Sequence, residues 1–317
     1  MKPRHLFLGL LVVLVPAVMI TVGRHATPQQ GASLRPVLDR VTEGKAAVER
    51  VGEAAFKASD PEEIALGTVL EGYLGNEWGI SLSSDGRGRS WLQRVADRLQ
   101  EQGGLRRGPA ITYRVTLLDS PAVNAFALPG GHLFVTSGML TFLNSEAEAA
   151  ALLGHEMAHV DLRHCIERYQ YELKARRIGG APLAAMASIG FRLMLQGYAD
   201  EQESEADRWG MQIAARAGYH PQAAQGMFAR LARPDAPPHT IPAEALNTTA
   251  DSLQDLLASH PDPIARILSL DEAMKECGLD PERHPYYLGR RNRLEWRSRA
   301  EQEYPEEWVQ RRLADSN

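Results

Sequence analysis

Leu152-Leu153-Gly154-His155-Glu156-Met157-Ala158-His159-Val160 is an apolar run broken by two histidines four residues apart. On a helix of 3.6 residues per turn, His155 and His159 leave one face a turn apart, so both imidazoles can hold one metal ion with Glu156 beside it. A hydrolytic zinc also needs a third protein ligand and a fourth position open to water, because a closed four-ligand site is structural. With 10 histidines in 317 residues, an H-E-x-x-H pattern arises by chance on the order of a few per cent of the time. The flanks must therefore carry the reading. Ser145-Glu146-Ala147-Glu148 has the form of a capping box, with Ser145 at the N-cap, and good helix formers fill 149–153. The motif is expected inside a helix.

The third ligand can come from just beyond the motif or from a distant helix, and the sequence rejects the first route. Some zinc proteases continue the motif with x-x-G-x-x-H, but here Leu162 holds the glycine position and Cys165 the ligand position, with His164 one residue out of register. The other route is Glu203, which starts a separate helix with Asp207 one turn on, where a carboxylate can accept a hydrogen bond from a ligating histidine. His155, His159 and Glu203 would leave residual positive charge on one zinc ion per chain and lower the pKa of its water, from which Glu156 takes a proton and later passes it to the leaving amine. His260 is a candidate donor to the oxyanion, although a histidine before Pro261 also suits an ordinary loop. Glu203 and Asp207 equally suit the first turn of a helix, where the dipole favours acids, and Glu205 is read as only that. His132, His164, His220 and His239 are read as surface or structural residues.

Outward from the motif, the alternation of Ile111, Tyr113, Val115 and Leu117 with polar residues marks a strand. A second extended piece over 123–128 is turned by Pro129-Gly130-Gly131 into a third over 133–136. The expected fold is α+β and mainly helical, with a small antiparallel sheet beside the metal helix. An edge of that sheet, at Asn124, Ala125 and Phe126, is the candidate substrate-binding strand, since it can pair with an extended peptide through main-chain hydrogen bonds. Further helices are expected over 41–56, from Asp60 as cap through Tyr73, over 91–102, and from Glu203 to Ala217, with a loop over 81–90. The apolar 182–195 stretch contains Arg192 and is short for a membrane span, so it is a bundle helix, a cover over the cleft or a membrane-dipping segment. Residues 232–249 read as a long loop.

Composition bounds the rest. A net charge of -5 gives no reason to expect nucleic acid as a partner. Only Cys165 and Cys277 are present, which excludes a disulfide scaffold and leaves at most one bridge. Lys2 and Arg4 precede an apolar run over 6–22, which fits either a cleaved export signal or an uncleaved amino-terminal anchor. Either places the catalytic part outside the cytoplasm, periplasmic or anchored to the membrane. The expected organisation is a leader over 1–28, a tether over 29–40, a metallopeptidase domain over 41–270 and a charged helical extension over 271–317. In that extension glutamates offset the arginines near Trp296, Tyr304 and Trp308.

His155-Glu156-Met157-Ala158-His159 followed by Glu203-Ser204-Glu205-Ala206-Asp207-Arg208-Trp209-Gly210 resembles the gluzincin family of HtpX-type and CAAX-prenyl-type zinc metallopeptidases, most closely its BepA/LoiP-like soluble extracytoplasmic branch. Asn124-Ala125-Phe126-Ala127-Leu128-Pro129-Gly130-Gly131, Pro61-Glu62-Glu63-Ile64-Ala65-Leu66-Gly67, and Ser259-His260-Pro261 with Arg266-Ile267 extend the likeness over roughly 60–270. The resemblance implies a zincin-like fold and a zinc endopeptidase with ligands His155, His159 and Glu203, base Glu156, and Asp207 as partner of a ligand or proton donor. It implies that His260 can approach the zinc and hold the enzyme latent. It also implies unfolded or misassembled envelope proteins as substrates. The chain departs from the family in having no cysteine beside the apolar run, and neither helical repeats nor several membrane spans past Ser269. The alternative reading is a chaperone-like or adaptor protein that binds unfolded clients without cutting them, although such a protein has no physical need for Glu156.

Overall fold

Both faces of one small sheet are covered by helices, and that sandwich holds most of the buried apolar residues among those described. The computed structural model describes residues 58–76, 81–167, 169, 173, 197–232 and 263–311. In order these form α1 (Asp60–Asn76), α2 (Gly86–Gln102), β1 (Arg114–Leu118), β2 (Ala125–Leu128), β3 (His132–Thr136), α3 (Ser137–Phe142), α4 (Glu146–Asp161) and α5 (His164–Glu167). They continue as α6 (Asp200–Arg216), α7 (Ala223–Leu231), α8 (Pro263–Glu276), β4 (Tyr286–Tyr287), α9 (Arg290–Glu295), a 3-10 turn (Pro305–Glu307) and β5 (Trp308–Val309). The fold is mainly helical with small sheets, and the metal motif lies within α4. Among the described residues no helix is long and apolar enough to cross a membrane.

The main sheet departs from the all-antiparallel expectation. Its order is β1-β3-β2: β2 and β3 form an antiparallel hairpin, whereas β1 runs parallel to β3, with Arg114 opposite His132 and Leu118 opposite Thr136. After β1 the chain passes over one strand position before β2, and the hairpin returns β3 into the gap. The hairpin turns on Gly130 and Gly131, both at positive φ, and a Cβ on Gly131 would lie 2.5 Å from the carbonyl oxygen of Thr112. Val115, Leu117, Ala125, Ala127, Leu133 and Val135 face the cluster that includes α2 and α4. Leu118, Phe126, Leu128 and Phe134 face Leu66, Leu70 and Leu74 of α1. Phe126 stacks on Phe134 at 4.9 Å.

Two helix starts also differ from expectation. Ser59 rather than Asp60 caps α1: its Oγ accepts from Glu62 N–H at 3.4 Å, and its own N–H donates to Glu62 Oε2 at 2.9 Å. Asp60 instead meets Arg107 and Arg163. The second half of the expected 81–90 loop is the first turn of α2, which starts because Asp85 Oδ1 accepts from Gly88 N–H at 2.9 Å. A Cβ on Gly88 would meet the ends of the Leu140 and Asp85 side chains.

At the N-terminus of α4, Ser145 Oγ accepts from Glu148 N–H at 3.1 Å, as the capping reading expects. The Glu148 carboxylate reaches Asn144 N–H and Arg230 rather than Ser145. The N–H groups of Glu146 and Ala147 donate to the carbonyls of Gly289 and Leu288, and Arg299 N–H and Tyr219 O–H donate to the buried Glu146 carboxylate. Of the expected helical extension over 271–317, the described part, 271–311, is not a continuous helical segment. Helix α8 runs through position 270 without a break, and beyond it lies a two-stranded piece with short helical turns. Those turns supply partners that a helix N-terminus lacks. The leader, the tether, the 41–56 helix, the 182–195 stretch and the loop after Ala232 lie outside the described residues.

Candidate metal centre

Helices α4 and α6 cross where neither has a side chain. Gly154 of α4 faces Gly210 of α6: a Cβ on Gly154 would lie 2.8 Å from Gly210 O, and one on Gly210 would lie 2.6 Å from His155 N. This close approach brings the start of α6 against the motif face of α4. His155, His159 and Glu203 are all buried there, and their ligand atoms lie within 4.8 Å of one another. His155 Nε2 is 3.1 Å from His159 Nε2. Glu203 Oε2 is 3.6 Å from His155 Nε2, and Glu203 Oε1 is 3.4 Å from His159 Nε2. A tetrahedral zinc with bonds of about 2.0–2.2 Å has ligand–ligand edges of about 3.3–3.6 Å. The separations of 3.6 and 3.4 Å, measured to the two oxygens of one carboxylate, lie in that range, and the 3.1 Å between the imidazoles lies just under it; two imidazoles with one carboxylate are a donor set that zinc takes.

Behind His155, Asp207 Oδ1 lies 2.9 Å from Nδ1, one helical turn after Glu203. Asp207 is also gripped by Arg266 of α8, whose Nε donates to Oδ2 at 3.0 Å and whose Nη2 donates to Oδ1. Burial alone would raise the Asp207 pKa, but Arg266 and His155 together outweigh it and hold the carboxyl well below the usual carboxylate range. Burial works against the Arg266 charge, and Asp207, with Glu203 and Glu156 farther off, more than restores it. The guanidinium lies over the Phe228 ring at 4.1 Å. Glu156 is 2% exposed on α4, within electrostatic reach of Arg266.

Behind His159 stands a residue read from the sequence as surface or structural. His164 is 3% exposed, and its Nδ1 lies 3.1 Å from His159 Nδ1. Its Nε2 meets Glu205 Oε2 at 3.2 Å, so Glu205 is more than a first-turn acid. Burial lowers the His164 pKa against the upward pull of Glu205, which favours a neutral ring. Tyr198 stacks on His159 with ring centroids 3.7 Å apart. His132 and His220 are buried as well.

The structure thus brings together His155, His159, Glu156, Glu203 and Asp207. His260 and His239 lie outside the described residues. Asn124, Ala125 and Phe126 lie at β2, an outer strand of the sheet that packs on α4, where Asn124 Oδ1 accepts from Ala125 N–H at 2.7 Å. No disulfide joins Cys165 and Cys277. Sequence reasoning placed Arg266 in a stretch that carries the family resemblance but gave it no chemical role. Its signal was a charge on a helical stripe with Leu270, Ala273 and Met274, all of them buried.

Residues 87–274, more than half of the chain and containing every residue of this cluster, match the sequence model of peptidase family M48. Similar proteins include the mitochondrial metalloendopeptidase OMA1 of Schizosaccharomyces pombe, 26% identical over 208 residues, covering 62% of this chain and 56% of that protein. The Arabidopsis thaliana protein of the same name is 28% identical over 165 residues, 48% of this chain and 29% of its own length. The beta-barrel assembly-enhancing protease of Escherichia coli is 30% identical over 128 residues, 35% of this chain and 26% of that protein. The chain spans between about a quarter and a little over half of the length of these relatives.

Proposed function

Because the chain belongs to peptidase family M48, we propose that it is a zinc-dependent endopeptidase in which His155, His159 and Glu203 hold one zinc ion. The observation that carries this reading is the convergence of two imidazole nitrogens and one carboxylate, from helices more than 40 positions apart in sequence, to within 4.8 Å of one another. When bound, zinc supplies a Lewis acid that polarises a carbonyl and makes water nucleophilic near neutral pH. Glu156 takes a proton from the attacking water as its oxygen bonds to the peptide carbonyl carbon. The same carboxyl then delivers that proton to the nitrogen as the C–N bond breaks. Asp207, kept charged by Arg266, holds His155 with Nδ1 protonated and Nε2 toward the ligand cluster. The outer edge of β2 at Asn124, Ala125 and Phe126 is our candidate for peptide pairing, with the Asn124 side chain giving up its bond to Ala125.

The family resemblance of the sequence extends the proposal to misassembled or unfolded membrane and envelope polypeptides as substrates, in keeping with the name beta-barrel assembly-enhancing protease that one relative carries, and the leader pattern supports a catalytic part outside the cytoplasm. His260 is retained as the candidate latency or oxyanion residue. The test is cleavage of unfolded casein by the zinc-loaded full chain. Wild type should yield fragments, a chelator should stop it, and Glu156→Gln should cut at least about 10²-fold more slowly. Equal, chelator-insensitive rates, or binding of casein without any cleavage, would remove the endopeptidase reading.

A further inference from the structure

We propose that His164 is a positioning residue for the metal centre: its Nδ1 accepts the Nδ1 proton of His159 and so commits that imidazole to offer Nε2 as a ligand. The inference rests on the zinc reading above. A neutral imidazole carries one proton on either nitrogen, so a ring that ligates through Nε2 must be protonated at Nδ1, and a buried Nδ1–H needs an acceptor. For His155 that acceptor is Asp207, 2.9 Å away. For His159 the geometry supplies His164 Nδ1 at 3.1 Å. His164 can accept there only with its own proton on Nε2, which is where Glu205 Oε2 stands, 3.2 Å off. Glu205 therefore selects the tautomer of His164, and His164 selects that of His159. Helix α6 thus supplies one ligand, Glu203, and orients both imidazoles, one directly through Asp207 and one through His164.

The backbone is bent to make this contact. On an unbroken helix a residue five places after His159 would point about 140° away from it. Helix α4 ends at Asp161, and Arg163 takes a left-handed φ of 71°, a conformation that costs energy for a residue with a Cβ. Arg163 is held there by Ala58 O at 2.8 Å and by Asp60. The turn carries His164 back beneath His159, whose other flank is closed by the stacked Tyr198 ring.

The test is equilibrium zinc competition against a chromophoric chelator on the full chain, with the melting temperature of each apoprotein measured in parallel. His164→Leu should weaken zinc binding about 10–100-fold. His164→Asn, whose side-chain carbonyl oxygen falls near the position of Nδ1, should recover most of that loss. Glu205→Ala should cost a few-fold and Glu205→Gln less. A residue that only fills space would lower the apoprotein melting temperature equally for Leu and Asn and leave zinc affinity unchanged, which would overturn the proposal. If the leucine variant does not fold, Glu205→Ala on the exposed side decides: undiminished affinity there contradicts the relay. A wild-type chain that binds no zinc would instead overturn the zinc reading itself, a result separable from the variant comparison.

Discussion

Asp207 is one of two groups at the His155 Nδ1 atom, 2.9 Å away, with Arg266 Nη2 at 3.1 Å. It neutralises Arg266 in a buried pocket and aligns an imidazole, so replacing it disturbs a charge and a geometry together. Asp207→Asn keeps the size and one acceptor but leaves Arg266 without its closest counter-charge. We expect a loss of about 3 kcal/mol in urea unfolding of the apoprotein and a drop of about 10–100-fold in zinc affinity. Unchanged values in both measurements would show that the pair is incidental. Glu146, at the N-terminus of α4, shifts in the opposite sense. Burial pushes its carboxyl up to about 7, against the lowering effect of hydrogen bonds from Arg299 N–H and Tyr219 O–H. Its folded pKa is thus above the ordinary value of 4.5, and the folded chain keeps a proton that the unfolded chain loses. The contribution is complete below about pH 4.5 and is lost as pH rises through about 7. Apoprotein stability should therefore carry a downward component across that window, of at most about 3 kcal/mol. Glu146→Gln should remove it, and identical pH slopes for the two proteins would contradict this.

At the scale of elements, the site depends on how closely α4 and α6 approach at Gly154 and Gly210. A Cβ at 210 would lie 2.6 to 2.7 Å from the backbone of His155, and neither helix can yield locally. Gly210→Ala should destabilise the fold by about 1–3 kcal/mol through overpacking, and should weaken zinc binding because Glu203 rides on the displaced helix. Wild-type affinity in this variant would show that the crossing tolerates a side chain. The same elements show what the sequence could reveal. The pairing of His155 with His159, and of Glu203 with Asp207, was legible because helical period is a local property of spacing. The parallel pairing of β1 with β3 was not, since alternation reports which face a residue takes and not which strand lies beside it. Nor was the contact of His164 with His159, which needs a left-handed Arg163 that no pattern announces. Arg266 and Gly210 both stand in stretches that carry the family resemblance, which marks the positions without their physical reason; for Gly210 that reason is the backbone of a distant helix.

For the whole molecule, the chain beyond α8 is part of the machinery's support. Gly289, Leu288 and Arg299 satisfy the N-terminus of α4, and Tyr287 is fully buried in the main cluster. Ending the chain at 285 would strip those partners from the helix that carries three site residues, and it should lower the melting temperature even of the zinc-free protein; an unchanged value would assign those residues no structural part. Ligand linkage acts on the same scale: zinc at about 1,000 times its dissociation constant should stabilise the folded chain by about 4 kcal/mol. The most direct measurement is the metal content of the full chain after zinc loading and removal of excess, for wild type, Glu156→Gln and Glu203→Ala. About one zinc per chain is expected in the first two, because Glu156 handles protons and does not ligate, with most of it lost in the third. Full zinc occupancy in Glu203→Ala, or none in wild type, would contradict the account.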